Sequence, residues 1–399
     1  MRIFYASGDS PNGDFKSTLW RDNLHGALVD LGHDVVEFDY DLGPTLNNAN
    51  KHIPEQLRFM EANRPKVSEE LLRQIFAAHR EKPIDLFFSY FYDACVLPDA
   101  VDEIKSHGIF AVNWYCNGSY QLDLVSEISP RYDWCLVPEK FRLTDYRAMG
   151  ARPIYCQEAA NPKKYRPFDS NKEYDVTFVG QAYGDRPAII KSLIDKKLNV
   201  HVWGAGWERF SASHRRRARD PIRRVARIAR ALTTAAGWKA AFSHIRSLTK
   251  SASSETKETM PAVEQFDFPE ELIGPVLPDE EMIRMFSRSK INLGFSSVGE
   301  SHRYGKRLLQ VRLRDFEIPM SGGFYIVEHM EELEEFFEIG KEVVCYTSAE
   351  DLAEKVAYYL SHEEERERIR LAGFRRAQRD HTWQNRFASA FRTMGLENR

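Results

Sequence analysis

Apolar residues come in short runs along this chain, and the runs alternate with stretches where they recur every third or fourth position. MRIFYAS is such a run. After a polar, Gly-containing loop, Leu19 to Leu31 carries the helical period, Gly32 supplies a C-cap, and DVVEFDY is the next strand. A helical pattern over Glu69–Arg80 precedes DLFFSYF, another over Asp99–His107 precedes IFAVNWY, and WCLVP and PIYCQEA follow. Strands this apolar, alternating with helices, are buried on both faces, which predicts a parallel sheet. One α/β domain is expected to end near Ala160.

The polar run NPKKYRPFDSNKE, Asn161–Glu173, reads as a linker, after which the pattern restarts. YDVTFVG is a strand, Ala188–Lys196 a helix and VHVWGAGW a strand. LIGPVL, a helix over Asp279–Ser287 and KINLGFS come later in the same domain. RDFEIPMSGGFYIVEH, GKEVVCYTS, a helix over Ala349–Leu360 and a charged tail complete it. Ser348-Ala349-Glu350-Asp351 forms a capping box ahead of the Leu352/Val356/Tyr359 stripe. The expected domains are 1–165, 166–385 with an insertion at about 209–264, and a terminal helix or tail over 386–399. In doubly wound sheets ligands bind beyond the carboxyl ends of the strands, so two such domains place chemistry in a cleft between them.

Composition narrows the classes. The chain has 399 residues, 43% apolar, which suits two domains. No run of about 18 apolar residues occurs, so no bilayer span is expected. MRIFYASGDS lacks the longer apolar core of a secretory signal. Cys95, Cys116, Cys135, Cys156 and Cys345 are scattered without a C-x-x-C pair, which fits a reducing cytoplasm rather than a disulfide framework or structural zinc. Net charge is −3, yet residues 209–250 hold twelve Lys or Arg against Asp220, so this window is +11 and the remainder −14.

The motifs point the same way by exclusion. GESHRYGKR fails as a P-loop: five residues separate Gly299 from Gly305, and Arg307 stands where Ser or Thr must hold magnesium. No G-x-G-x-x-G follows a strand, which argues against a dinucleotide enzyme. Asp39-Tyr40-Asp41 is a D-x-D of a kind that recurs by chance. In WGAGW, Trp203–Trp207, the glycines serve either a ligand's approach or a tight turn with packed Trp rings. Arg303, Lys306, Arg307, Arg312 and Arg314 cluster after KINLGFS, where a diphosphate would bind or where a solvated helix face would lie. Glu317, between Phe316 and Ile318, needs a partner: either the vicinal hydroxyls of a ribose or Arg314 at i,i+3 spacing.

At these residues the chain resembles a family. VTFVGQAYGDR, VWGAGW, LRDFEIPMSGGF, GKEVVCYTSAEDLAEKVAYYLSHEEERERI and HTWQNR, in that order, are similar to the carboxyl-terminal domain of CgeB-like glycosyltransferases, within the group-1 enzymes of the GT-B fold. The resemblance implies two Rossmann-like domains, a nucleotide-sugar donor held by the second, no bound metal, and a last helix with Trp383 and Arg386 returning to the first domain. It implies Gly180 on the donor-facing loop, Arg186 on the phosphate side and Glu317 as ribose ligand with Arg314 before it. Gly274, Arg303 and Lys306 complete the expected donor side. Related enzymes carry a second glutamate eight residues before this one, where this chain has Leu309.

On the acceptor side, Asp93 in FSYFYDAC and Asn117 in NWYCNG end strands of the first domain, with loop capping as the alternative role. Asp93 or His25 is the expected base if the reaction inverts. The acceptor is expected to be a glycan, a lipid-linked molecule or a protein, with no nucleic acid. Apolar residues from Ile222 to Leu248 recur at helical spacing among arginines, the look of an interfacial helix on anionic lipid. That would bring the enzyme to the inner face of a membrane, for polysaccharide biosynthesis. A solvated insertion and an RNA-binding arm are the competing readings. An inactive nucleotide- or glycan-binding relative is the competing function.

Overall fold

Six parallel strands form the first sheet: β1 (Arg2–Ser7), β2 (Asp34–Glu37), β3 (Leu86–Tyr90), β4 (Phe110–Trp114), β5 (Trp134–Val137) and β6 (Pro153–Tyr155), in the order β2-β1-β3-β4-β5-β6. In the computed structural model, residues 1–8, 17–168, 171–211, 266–299 and 307–397 are described. All five residues of β3 are buried, as the unbroken apolar run requires of a strand covered on both faces. The chain runs outward from β1 to β2 and then crosses to β3 on the other side. The connections at the carboxyl ends of β1 and β3 therefore diverge and leave a crevice there.

Helix α1 (Leu19–Asp30) follows the sequence expectation, with Gly32 at φ +84° beyond it. Helix α2 is a correction: it spans Pro54–Glu81, 28 residues, rather than Glu69–Arg80. Pro54 opens it, and Pro65 sits inside it at the loss of one backbone hydrogen bond. The buried face Met60, Arg64, Val67, Leu71 and Ile75 repeats every three or four residues across that proline. Burial along the whole face overrides the break. Helix α3 (Pro98–Ser106) precedes β4 as expected.

Two compact units divide the chain: Met1–Asp175 with Pro278–Arg399, and Val176–Leu277. The smaller unit holds β7 (Tyr174–Val179) from Val176 on, α4 (Arg186–Asp195), β8 (Val200–Trp203) and β9 (Ile273–Gly274), the strands parallel in the order β7-β8-β9. The larger unit adds α5 (Asp279–Arg288), β10 (Ser289–Gly294), α6 (Leu313–Met320), β11 (Tyr325–Glu328), β12 (Val344–Tyr346) and α7 (Ala349–Ser361). There β11 lies between β10 and β12, again parallel. At α7 the Ser348 hydroxyl accepts the Asp351 N–H at 3.1 Å, and Leu352, Ala353, Val356 and Tyr359 face inward.

The charged tail folds as two helices, α8 (Glu363–Asp380) and α9 (Trp383–Met394). Thr382 caps α9 by accepting the Asn385 N–H at 3.1 Å. Trp383 is fully buried and meets Trp114 edge to face at 5.3 Å and Trp20 at 6.4 Å. Helix α9 thus closes on the first sheet's own elements. A bridge between Ala160 and Thr382 pins the crossover beside the linker.

Candidate active site

Helix α6 carries the acid singled out in the sequence, and every residue from Asp315 to Met320 is buried. Asp315 fixes the helix start: its Oδ2 accepts the Arg312 N–H at 2.7 Å, and its Oδ1 accepts the Tyr325 hydroxyl at 2.7 Å. Burial pushes its carboxyl up to about 6. After the helix, Gly322 has φ +71°, and a Cβ there would sit 2.9 Å from Pro167 of the linker. A Cβ on Gly323 would meet Asn292 and Ile318 at 2.8 Å. Both glycines are needed for the chain to enter β11 tightly packed.

Glu317 is 0% exposed, and its Oε2 accepts a hydrogen bond from Arg314 Nη1. The internal i,i+3 pair is therefore formed. The Arg314 guanidinium also donates from Nη2 to Met282 Sδ at 2.8 Å and lies over the Phe286 ring. Glu317 Oε1 is buried, and among the described residues the donor that acts on this carboxylate besides Arg314 is the Tyr165 hydroxyl. Tyr165 of the linker lies alongside, its hydroxyl pushed well up by burial and then by Glu317. Arg303 and Lys306 lie outside the described residues. Arg307 pairs with Glu328, and Arg312 donates to Ser297 O.

The carboxyl ends of the first sheet hold the acceptor-side candidates. Asp93, just past β3, is 2% exposed; its Oδ1 accepts the N–H groups of Glu127 and Ile128 at 3.1 Å each, and Lys51 lies 3.5 Å from Oδ2. It caps the loop after β4, the alternative the sequence left open. Burial pushes it up to about 6. His25 on α1 faces Glu37 through Nε2 at 3.2 Å, and packs edge to face on Tyr5 at 5.5 Å. Burial lowers its pKa, opposed by Glu37. Asn117 lies beyond β4; its Oδ1 accepts the Tyr120 hydroxyl at 3.3 Å and its Nδ2 reaches Tyr92 Oη at 3.4 Å.

Two acids on this edge escaped the sequence reading. Glu139, past β5, is 3% exposed and accepts the Ser119 N–H at 3.3 Å, with the Gly118 N–H also acting on its carboxyl. Glu158, past β6, is 8% exposed. Each is a lone acid at the end of an apolar run, the same signal that selected Asp93, but only the fold makes them neighbours.

In the smaller unit the candidates converge on two turns. Gly180 N–H donates to Trp203 O at 2.8 Å, and the fully buried Trp207 donates from Nε1 to Gly180 O at 2.7 Å. Gly204 has φ +135°, and a Cβ there would fall 2.3 Å from Gly180 O. Gly274 lies flat on Trp203, 2.0 Å from where its Cβ would be. The glycines of WGAGW thus serve turn packing. Arg186 is 6% exposed, 3.8 Å over the Tyr183 ring, and donates to Gln181 O at 3.1 Å, so it braces the loop after β7.

Residues 257–392 match the family model described as glycosyl transferase-like. No curated protein matches the sequence. Among solved structures, the chain is similar to sucrose-phosphate synthase from Thermosynechococcus elongatus, at 12% identity over 99% of both chains with a TM-score of 0.55. It is similar to HepE of Anabaena in complex with UDP-glucose, at 10% identity over 99% of both chains with a TM-score of 0.52. It also resembles AviGT4, a glycosyltransferase of avilamycin A biosynthesis, at 13% identity over 100% and 99% of the chains, TM-score 0.52. The architecture, α/β with two parallel-strand sheets, is that of GT-B glycosyltransferases. By that fold and a glycosyl transferase-like carboxyl-terminal region, the protein is a transferase.

Proposed function

We propose that the protein is a CgeB-like, metal-independent glycosyltransferase that moves a sugar from a nucleotide-sugar donor to a glycan, lipid-linked or protein acceptor. The observation that carries the reading is the buried Arg314–Glu317 pair, in which Arg314 engages one carboxylate oxygen and leaves the other to a second donor, inside the segment that matches the transferase family. A ribose hydroxyl is a donor suited to that oxygen. The Anabaena HepE structures with UDP and UDP-glucose support a nucleotide sugar as the donor.

In this reading Arg314, Lys306 and Arg303 stabilise charge developing on the leaving diphosphate, and Arg186, Gly180 and Gly274 are donor-side residues of the smaller unit. Asn117 orients the acceptor. Of the two base candidates, His25 is the freer: its Nε2 faces Glu37, which leaves Nδ1 to take a proton, whereas both Asp93 oxygens are engaged. The enzyme works in the cytoplasm in polysaccharide synthesis, and residues 209–250 rest on anionic lipid. That window lies almost wholly outside the described residues; among those described, no helix is long and apolar enough to cross a membrane.

A melting-point screen with UDP, GDP, TDP and CDP, and with their sugar derivatives, tests the core of this. One base should raise the melting point, as any ligand of the native state does, and its sugar derivative should be hydrolysed. Binding without hydrolysis across the panel would favour an inactive nucleotide-binding relative, the reading that Leu309 supports. Absence of any shift would remove both.

A further inference from the structure

The linker after β6 buries Tyr165 but leaves Lys163, Lys164 and Arg166 exposed. These three cations line a cavity of about 380 Å³ within the larger unit. Asp279, Glu280 and Ile283 from the first turns of α5 line it as well, with Thr18 from the residue before α1. Its volume falls in the range of small-molecule sites, roughly 300–1,000 Å³. None of these side chains belongs to the Arg314–Glu317 pair.

Hydrogen bonds within the cavity show which groups remain for a ligand. Both Asp279 carboxylate oxygens accept the Ser17 hydroxyl at 3.0 Å, and Oδ2 also accepts the Thr18 N–H at 2.8 Å. Glu280 Oε1 accepts Arg284 Nη2 at 2.6 Å, which leaves Oε2 open. Lys163 pairs with Asp30, and Lys164 with Asp22 at 2.9 Å, one acid for each three-donor ammonium. Arg166 stacks over the Phe168 ring at 4.8 Å, as Arg284 does at 4.2 Å. Stacking fixes the guanidinium plane but satisfies none of its five N–H donors, and among the described residues Arg166 has no acceptor. An arginine fork with open donors, beside two lysines, suits an oxyanion with several oxygens. The α5 side offers the opposite: an accepting carboxylate oxygen and the apolar Ile283. A bare anion leaves that side unmet, and a neutral ligand leaves the linker cations unmet. A phosphate carried on a hydroxylated ring satisfies both.

We propose that this cavity binds a small phosphorylated sugar. Arg166, with Lys164 and Lys163, holds the phosphate; Glu280 Oε2 accepts a ring hydroxyl, and the ring lies against Ile283. The glycosyltransferase reading gives this cavity no ligand, and the two can fail separately: nucleotide binding tests one, and hexose-phosphate binding tests the other.

Calorimetric titration of the full chain with glucose 6-phosphate, glucose 1-phosphate and mannose 6-phosphate, beside glucose and inorganic phosphate, tests this. At least one hexose phosphate should bind wild type tenfold more tightly than either fragment. Arg166→Gln should weaken that binding at least fivefold. Arg147→Gln, the same loss of charge on an exposed arginine outside the cavity, should leave it unchanged. Both side chains are exposed, so the unliganded variants should melt with wild type, which reports that they are folded. Inorganic phosphate binding as tightly as every hexose phosphate would mean an adventitious ion only, and overturns the proposal. Equal weakening in the two variants, or no binding by any of the hexose phosphates, overturns it too. Each of these outcomes leaves the nucleotide screen, and the reading it tests, standing.

Discussion

At the residue scale the most consequential feature is that acids sit in the interior with unequal accommodation. Glu317 is held by Arg314, so removing the cation alone should be worse than removing both. Arg314→Met should cost about 3–5 kcal/mol, because a buried charge is left uncompensated, while Arg314→Met with Glu317→Leu should cost much less. Chemical unfolding of the two variants checks this. On activity, Arg314→Ala should reduce turnover far more than Arg312→Ala; equal, small losses would remove Arg314 from the donor site. Asp93 behaves differently. Its folded pKa, about 6, lies above the usual carboxylate value, so its ionisation opposes folding. The stability it contributes is complete at low pH and is lost as pH rises through 6, roughly 3 kcal/mol by pH 7. An amide oxygen can still accept from Glu127 and Ile128, so Asp93→Asn should melt higher than wild type at pH 7. The gain should vanish near pH 4 in a melting series.

At the element scale, ends matter more than middles. Ser348→Ala removes a cap that was legible from four letters of sequence and should cost about 1 kcal/mol in urea denaturation. The glycine pair after α6 is a sterner case. Gly322 and Gly395 both have left-handed backbone, φ +71° and +73°, but only Gly322 would drive a Cβ into a neighbour. Gly395→Ala should therefore cost only the backbone strain of about 1 kcal/mol, and Gly322→Ala distinctly more. Element ends were also where sequence reading was weakest. Helix α2 extends beyond the Glu69–Arg80 pattern because its buried face continues through Pro65, which only the packing of the whole helix reveals. The tail after Ser361 reads as charge, yet α8 and α9 form because Ile369, Ala377, Trp383 and Phe387 find a buried side.

At the scale of the molecule, α9 is the clasp. Trp383 lies among Trp20, Trp114 and Phe387, and Arg386 donates to Gln157 O at 3.1 Å across the crossover. Trp383→Ala should destabilise by about 3–5 kcal/mol and lower the melting point of the whole larger unit. Near-normal melting would mean that α9 is only loosely engaged. The basic window belongs to this scale as well. Flotation with liposomes of anionic lipid should retain the full chain and lose it when residues 212–250 are removed; equal flotation would sink the membrane role.

The sequence by itself determined the alternation of strand and helix, the caps at Gly32 and Ser348, the restart after the linker and the acid–arginine pair of α6. These are local: periodicity, capping and i,i+3 spacing are written in neighbouring letters. Tertiary structure alone decided which acids are buried, since Glu139, Glu158 and Glu317 lose their solvent only to elements that the fold brings over them. It also decided that Asp93 is a cap and that the WGAGW glycines serve packing. Burial and partnership are properties of the whole fold, and they set whether a carboxyl is spent or still open to a ligand.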